Sequence, residues 1–203
     1  MRITALIDAV SGPLRVAVRG RDGVGRGTVA AALAGAGVLV VEDDADVVVV
    51  VVAEAVKPED RAMLGAVPTL VVLNKADLAG FGAGGPIAVA DRRAAEIQAL
   101  TGVPTVPMAG LLATAVLDDE LLCALRALTV EPVDLSSTDG FLSAGHGVPP
   151  SVRVRLLDTL DLFGTAHGVL ALQQGTEAAA LPAVLRRLSQ IERVTARLAA
   201  VGA

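Results

Sequence analysis

Residues Leu70 to Leu73 read Leu-Val-Val-Leu, continuously apolar and half β-branched. A short run of that kind, without alternation of polar residues, is how a strand buried on both faces of a parallel sheet reads. A second run, Val47 to Ala53, has the same character. Parallel strands need covered faces, so the chain is predicted to form an α/β fold: a three-layer sandwich with a mostly parallel sheet of about five strands, followed by C-terminal helices. The run at Leu70 ends abruptly in Asn74-Lys75-Ala76-Asp77. In open α/β sheets ligands sit at the carboxyl ends of the strands, which is where these polar groups emerge.

The chemistry of that quartet suits guanine. The Asp77 carboxylate offers two acceptor oxygens, and guanine presents two adjacent donors, N1–H and the N2 amino group, which makes a charge-assisted fork. Adenine has no such pair. The Lys75 stem can lie along a base face, and the Asn74 amide can tie neighbouring loops together. The same residues also suit a polar cap after a strand, because Asn and Asp favour caps.

Asn74-Lys75-Ala76-Asp77 after a buried strand resembles the guanine-specificity motif of P-loop GTPases of the translation-factor and dynamin-related class. A second stretch carries part of the same resemblance. Leu14 to Arg19 is predicted as the first strand and runs into Gly20-Arg21-Asp22-Gly23-Val24-Gly25-Arg26-Gly27-Thr28, with a helix from Val29. Strand, Gly-rich loop and helix are the context a phosphate-binding loop requires, where backbone N–H groups and the helix dipole face an anion. Gly20 and Gly25 fit the Walker A spacing. Arg26 stands at the lysine position, and a planar guanidinium does not replace a compact ammonium. Gly27 stands at the hydroxyl position and has no oxygen for Mg²⁺; Thr28 is about 100° further round the helix. The other reading of the loop is a plain Gly-rich turn. Ala109-Gly110 falls where the family has its base-backing loop.

The resemblance implies a GTP- or GDP-binding site built from Gly20, Gly23, Gly25, Arg26, Gly27, Thr28, Asn74, Lys75, Asp77 and Ala109, with Mg²⁺ binding doubtful. Glu42-Asp43-Asp44-Ala45-Asp46 supplies acids with no glycine at the spacing of a γ-phosphate sensor. Hydrolysis is therefore expected to be weak or absent. The alternative is a non-enzymatic pseudo-GTPase that binds a protein partner through its C-terminal helices. An adenosine-type P-loop enzyme is disfavoured by Asn74–Asp77.

Five residues are too few for the usual crossover between neighbouring parallel strands. Val38–Val41 is accordingly expected to be a short edge strand or hairpin arm, with the acids at the sheet end away from the nucleotide or in a solvated turn. Pro58 opens a predicted helix to Leu64, Gly80–Pro86 is a loop, Ala90–Leu100 a helix closed by Gly102, and Val103–Met108 an edge strand because of its two prolines. Leu111–Leu128 is predicted helical, with Cys123 as a buried thiol. The expected organisation is a GTPase-like domain at 1–130, a linker or ordered loop at 131–150, and a helical segment at 151–203. Within the last, one helix spans Ser151–Leu172, another starts at Thr176, and a break falls at Ser189–Glu192. Leu181, Val184, Leu185, Leu188, Ile191, Val194 and Leu198 form an apolar stripe, expected to dock on its own domain rather than on a partner.

Composition narrows the function further. Among 203 residues there are no Trp or Tyr and only three Phe. Stacking of single-stranded nucleic acid needs aromatic platforms, so that activity is excluded as the main one. The net charge of −5 argues against general nucleic-acid or anionic-membrane binding. A single cysteine excludes an internal disulfide. Met1–Asp8 lacks the apolar core of a signal peptide, and no run is long enough to span a bilayer. A cytoplasmic protein is expected.

Overall fold

The computed structural model describes residues 13–65, 67–80 and 82–203. The Met1–Asp8 stretch lies outside them. The sheet has five strands: β1 (Arg15–Gly20), β2 (Leu39–Val41), β3 (Val47–Val52), β4 (Thr69–Leu73) and β5 (Thr105–Pro107). Their spatial order is β2-β1-β3-β4-β5 and every pairing is parallel. The fold is thus an α/β sandwich with C-terminal helices, and all five residues of β4 are buried, as an apolar run without alternation requires.

The helices of this part are α1 (Arg26–Gly35), α2 (Pro58–Ala62) and α3 (Gly85–Thr101). One sheet face carries Val50, Val52, Val71 and Leu73, which pack with Ala90, Ala94 and Ile97 of α3 and with Met63 and Leu64 after α2. The other face is covered by α1 and by the last helix of the chain, α9 (Ile191–Gly202), which packs on β3, β4 and β5. Ile191, Val194 and Leu198 are fully buried there or nearly so. Helix α3 begins five residues before its expected start. Pro86 is tolerated in its first turn, where an N–H has no intrahelical partner. Gly102, in a left-handed conformation (φ 71°), ends it as expected.

The short connection from β2 to β3 has a geometric reason. β2 pairs only with the first three residues of β1, so Val41 lies beside Ala17 while Val47 lies beside Val16. The chain needs to step back by only one residue of strand. Glu42–Asp46 does this against β1: Asp46 Oδ2 accepts from Arg15 N at 2.8 Å, and Arg15 O accepts from Asp46 N at 2.8 Å. Asp46 is thereby fixed at the amino end of the sheet.

The chain divides into two compact units. The first joins the described residues up to Gly110 with Gln190–Ala203; the second is Leu111–Ser189. The second unit contains α5 (Asp119–Val130), α6 (Thr138–Ser143), α7 (Pro150–Gln173) and α8 (Leu181–Ser189), and α4 is the single turn Gly110–Ala113 at its start. The expected continuous helix from Leu111 is broken, because Asp118 caps a new one by accepting from Leu121 N at 2.9 Å. Cys123 is exposed, not buried. The buried stripe of α5 is Leu121, Ala124, Leu125 and Leu128, and a residue two positions past Leu121 lies about 200° round the helix. Residues 131–150 are ordered around α6: Phe141 is fully buried, and the buried Arg153 of α7 donates from Nη1 to Phe141 O and Ala144 O, each at 2.7 Å. Before α8, Ala178–Ala180 forms a 3-10 turn in place of the helix start expected at Thr176. The expected break near Ser189 is present, with Gln190 left-handed between α8 and α9.

Candidate functional site

Asn74 follows directly on β4 and is almost fully buried. Its Nδ2 donates to Val24 O at 2.9 Å, in the loop after β1, and its Oδ1 accepts from Gly110 N at 3.0 Å, in the segment after β5. One amide therefore joins the carboxyl-end loops of β1, β4 and β5. The approach is close enough to dictate two glycines. A Cβ on Gly25 would stand 2.4 Å from Asn74 Nδ2, and one on Gly110 would stand 2.8 Å from Asn74 Oδ1. Gly25 is also the N-cap of α1 in a left-handed conformation, with no side-chain cap. Gly20 is required by the sheet, since its Cβ would meet Val51 O at 2.8 Å. Ala109 is fully buried next to Gly110, and Thr28 turns its methyl toward Gly110.

Sheet order places the switch point between β1 and β3, because the chain winds to one side from β1 and to the other from β3. A cleft of about 340 Å³ opens in that region. Its apolar floor includes Leu73, Ala76, Ala79 and Ala90; Gly23, Val24 and Asn74 also border it. Its charged side chains, among the described residues, are Arg21, Lys57, Lys75 and Arg93 against Asp22 and Glu54. Lys75 is exposed, held left-handed at the start of the Ala76–Leu78 turn. Asp77 is half-buried on that turn, where Leu78 and Ala79 rather than Asp77 border the cleft.

Two features mark the loop after β1. Arg21 does not face solvent freely: its Nε donates to Asp60 Oδ1 at 2.8 Å, and Asp60, fully buried, accepts from Lys57 N through Oδ2 at 2.9 Å. The hydrogen bond from Arg21 to Asp60 raises the guanidinium pKa further above its ordinary value, holding it charged. The residues of the Gly-rich loop also border different grooves. Gly23 borders the cleft, whereas Arg26 and Gly27 border a different groove with Arg19, Glu42 and Asp43. Arg26 Nη1 reaches back to Gly20 O at 3.4 Å. Arg19 donates to Glu42 O and lies 3.9 Å from Asp43.

Gly27 brings no side-chain oxygen to the position where the motif's hydroxyl would meet a magnesium ion. Among the described residues there is no group of three His, Cys, Asp or Glu side chains that could hold a metal ion by themselves. Lys57 and Arg93 were not visible as site residues in the sequence. Arg93 carries one faint signal: it is three residues past Ala90 on α3, hence on the flank of the buried stripe.

No family model matches this chain, and none of the curated proteins matches it. Among the described residues no helix is long and apolar enough to cross a membrane.

Proposed function

We propose that the carboxyl-end loops of β1, β4 and β5 bind a guanine nucleotide, with weak or no hydrolysis of GTP. The observation that carries this reading is the position of Asn74. It ties the Gly-rich loop and the Ala109-Gly110 segment to the Asn-Lys-x-Asp turn, which supports one ligand meeting all three. In this reading Asp77 accepts from N1–H and the N2 amino group, Lys75 lies along the base, Ala109 backs it, and the Gly20–Thr28 backbone faces phosphate. Slow hydrolysis follows from the residues: phosphoryl transfer rests on a metal, a γ-phosphate sensor and a positioned water, and Gly27 supplies no ligand for the first.

Calorimetric titration with GDP, GTP and ATP, each with and without EDTA, tests the proposal. The expected outcome is binding of GDP and GTP, none of ATP, and little change on removing Mg²⁺. Asp77→Asn is expected to weaken guanine nucleotides and favour xanthine ones, whose 2-position is a carbonyl. Unchanged GDP affinity in that variant would remove Asp77 from the site. Absence of all nucleotide binding would favour the non-enzymatic pseudo-GTPase instead. That module would need helix faces other than the apolar stripe, because Leu181, Leu185, Ile191, Val194 and Leu198 are buried within the chain.

A further inference from the structure

The cleft beside Asn74 is cationic in a chain that is not. The protein as a whole has 17 basic and 22 acidic residues, whereas among the described residues the cleft brings Arg21, Lys57, Lys75 and Arg93 against Asp22 and Glu54. Arg21 is committed to the buried Asp60. Among the described residues Lys57, Lys75 and Arg93 have no carboxylate within salt-bridge distance. They arrive from three separate elements. Lys57 is the N-cap of α2, and its main chain is fixed by Asp60 while its side chain is exposed. Lys75 starts the turn after β4. Arg93 projects from α3 beside Ala90, which forms part of the apolar floor. Cations converging over an apolar floor suit a ligand with an anionic end and a carbon-rich body.

The Gly-rich loop lacks two usual means of meeting phosphate charge, the side-chain hydroxyl for a metal and the lysine. Gly27 offers no metal ligand, and Arg26, at the motif's lysine position, borders the other groove. We infer that Lys57 and Arg93, which belong to neither motif, are anion-holding residues of this cleft and meet the phosphate charge of the bound nucleotide in place of a metal ion. This inference rests on the nucleotide reading above for the identity of the ligand, but not for the role of the cations. Arg93 presents a planar fork that matches two phosphate oxygens, and it is half-buried, so it holds the stronger contact. Lys57, more exposed, contributes a weaker and more salt-sensitive one.

The experiment is calorimetry in EDTA with two probes, GDP and inorganic pyrophosphate, on the unmutated protein and on Arg93→Gln, Lys57→Gln and Arg92→Gln. Arg92 is an exposed neighbour that reaches Ala83 O, at 3.5 Å, does not border the cleft, and serves as the control. Melting curves by circular dichroism establish that each variant is folded, and Arg93→Lys, which keeps the charge, should recover part of the affinity. Loss of one charge-assisted contact in Arg93→Gln should weaken both probes roughly ten- to a hundredfold, Lys57→Gln should weaken them less, and Arg92→Gln should match the parent. If GDP binds and neither Arg93→Gln nor Lys57→Gln changes it, the inference is overturned while the nucleotide reading stands. If pyrophosphate binds and is weakened by Arg93→Gln but no nucleotide binds, the cations keep their role and the guanine reading falls. If neither probe binds the unmutated protein, both fall.

Discussion

Asn74 is a buried polar side chain with its donor and its acceptor both engaged by backbone, 50 and 36 residues away in sequence. Leaving such partners unsatisfied costs more than the bond is worth when made. Asn74 therefore holds the loops whether or not a ligand binds, and its removal would not by itself report on function. The glycines around it give a cleaner test. Gly25→Ala should destabilise the protein by about 2–3 kcal/mol, since it adds a Cβ to a left-handed residue and places it against the Asn74 amide. Gly27→Ala should do the reverse. Gly27 is helical with nothing within 4 Å of an added Cβ, so the change should stabilise by about 0.5–1 kcal/mol. Urea denaturation of the two variants checks both signs. At this scale the tie made by Asn74 was legible, because the polar quartet sits at the end of an unmistakable strand. The Arg21–Asp60 pair was not: its partners are 39 residues apart, and a first-turn acid on a helix reads simply as a favourable dipole interaction. Cys123 misled for a different reason. Its apolar neighbours in sequence lie on the buried face, but it does not.

At the scale of elements, α7 departs furthest from its sequence. Leu156, Leu160, Phe163 and Val169 suggest one uninterrupted helix, and its glycines, Gly164 and Gly168, fall after the break rather than at it. Yet Asp161 has φ 56° and ψ −178°, a region that only glycine enters without strain. The residue recovers part of that cost as a cap: its Oδ1 accepts from Leu162 N at 2.6 Å, and its carbonyl accepts from Thr165 Oγ1 at 2.7 Å. Gly164 shows what the kink accommodates, since a Cβ there would meet Leu112 at 2.5 Å. Packing of the second unit thus overrides local propensity, which is why the sequence concealed the bend. Asp161→Gly should relieve the strain and give up only a few tenths of a kcal/mol of capping, raising stability by about 1 kcal/mol; Asp161→Ala should lower it. Thermal melts of both variants distinguish them. The second half of the same helix predicts a pH effect. Burial lowers the pKa of His167 below its ordinary 6.5, and its ring packs on Phe163 with centroids 4.2 Å apart. The unfolded chain then takes up a proton more readily than the folded one, so stability is retained above pH 6.5 and falls as pH drops below it toward the lowered value. His167→Gln should remove that part of the acid sensitivity, measured as melting temperature against pH.

At the scale of the whole molecule, the chain returns to its beginning. After the second unit, α9 completes the first by covering the sheet face opposite α2 and α3, and an added Cβ on Gly202 would already touch Leu14 and Val47. The apolar stripe from Leu181 to Leu198 was legible as something that must be buried, but periodicity does not say against what. Its division is the part the sequence left unstated: Leu181 and Leu185 belong to one unit, Ile191, Val194 and Leu198 to the other, and left-handed Gln190 separates them. This has a consequence for stability. Leu198 is 1% exposed, whereas Leu170, also a helical leucine, is 46% exposed. Leu198→Ala opens a cavity under β3, β4 and β5 and should cost about 3 kcal/mol, within the range for buried leucine; Leu170→Ala should stay within about 0.5 kcal/mol of the parent. Amide hydrogen exchange locates the effect. In Leu198→Ala the protection of β3, β4 and β5 should fall, because the last helix packs on those strands. Unchanged protection of those strands would show that the sheet does not depend on the Leu198 contact and that the loss is confined to the last helix itself.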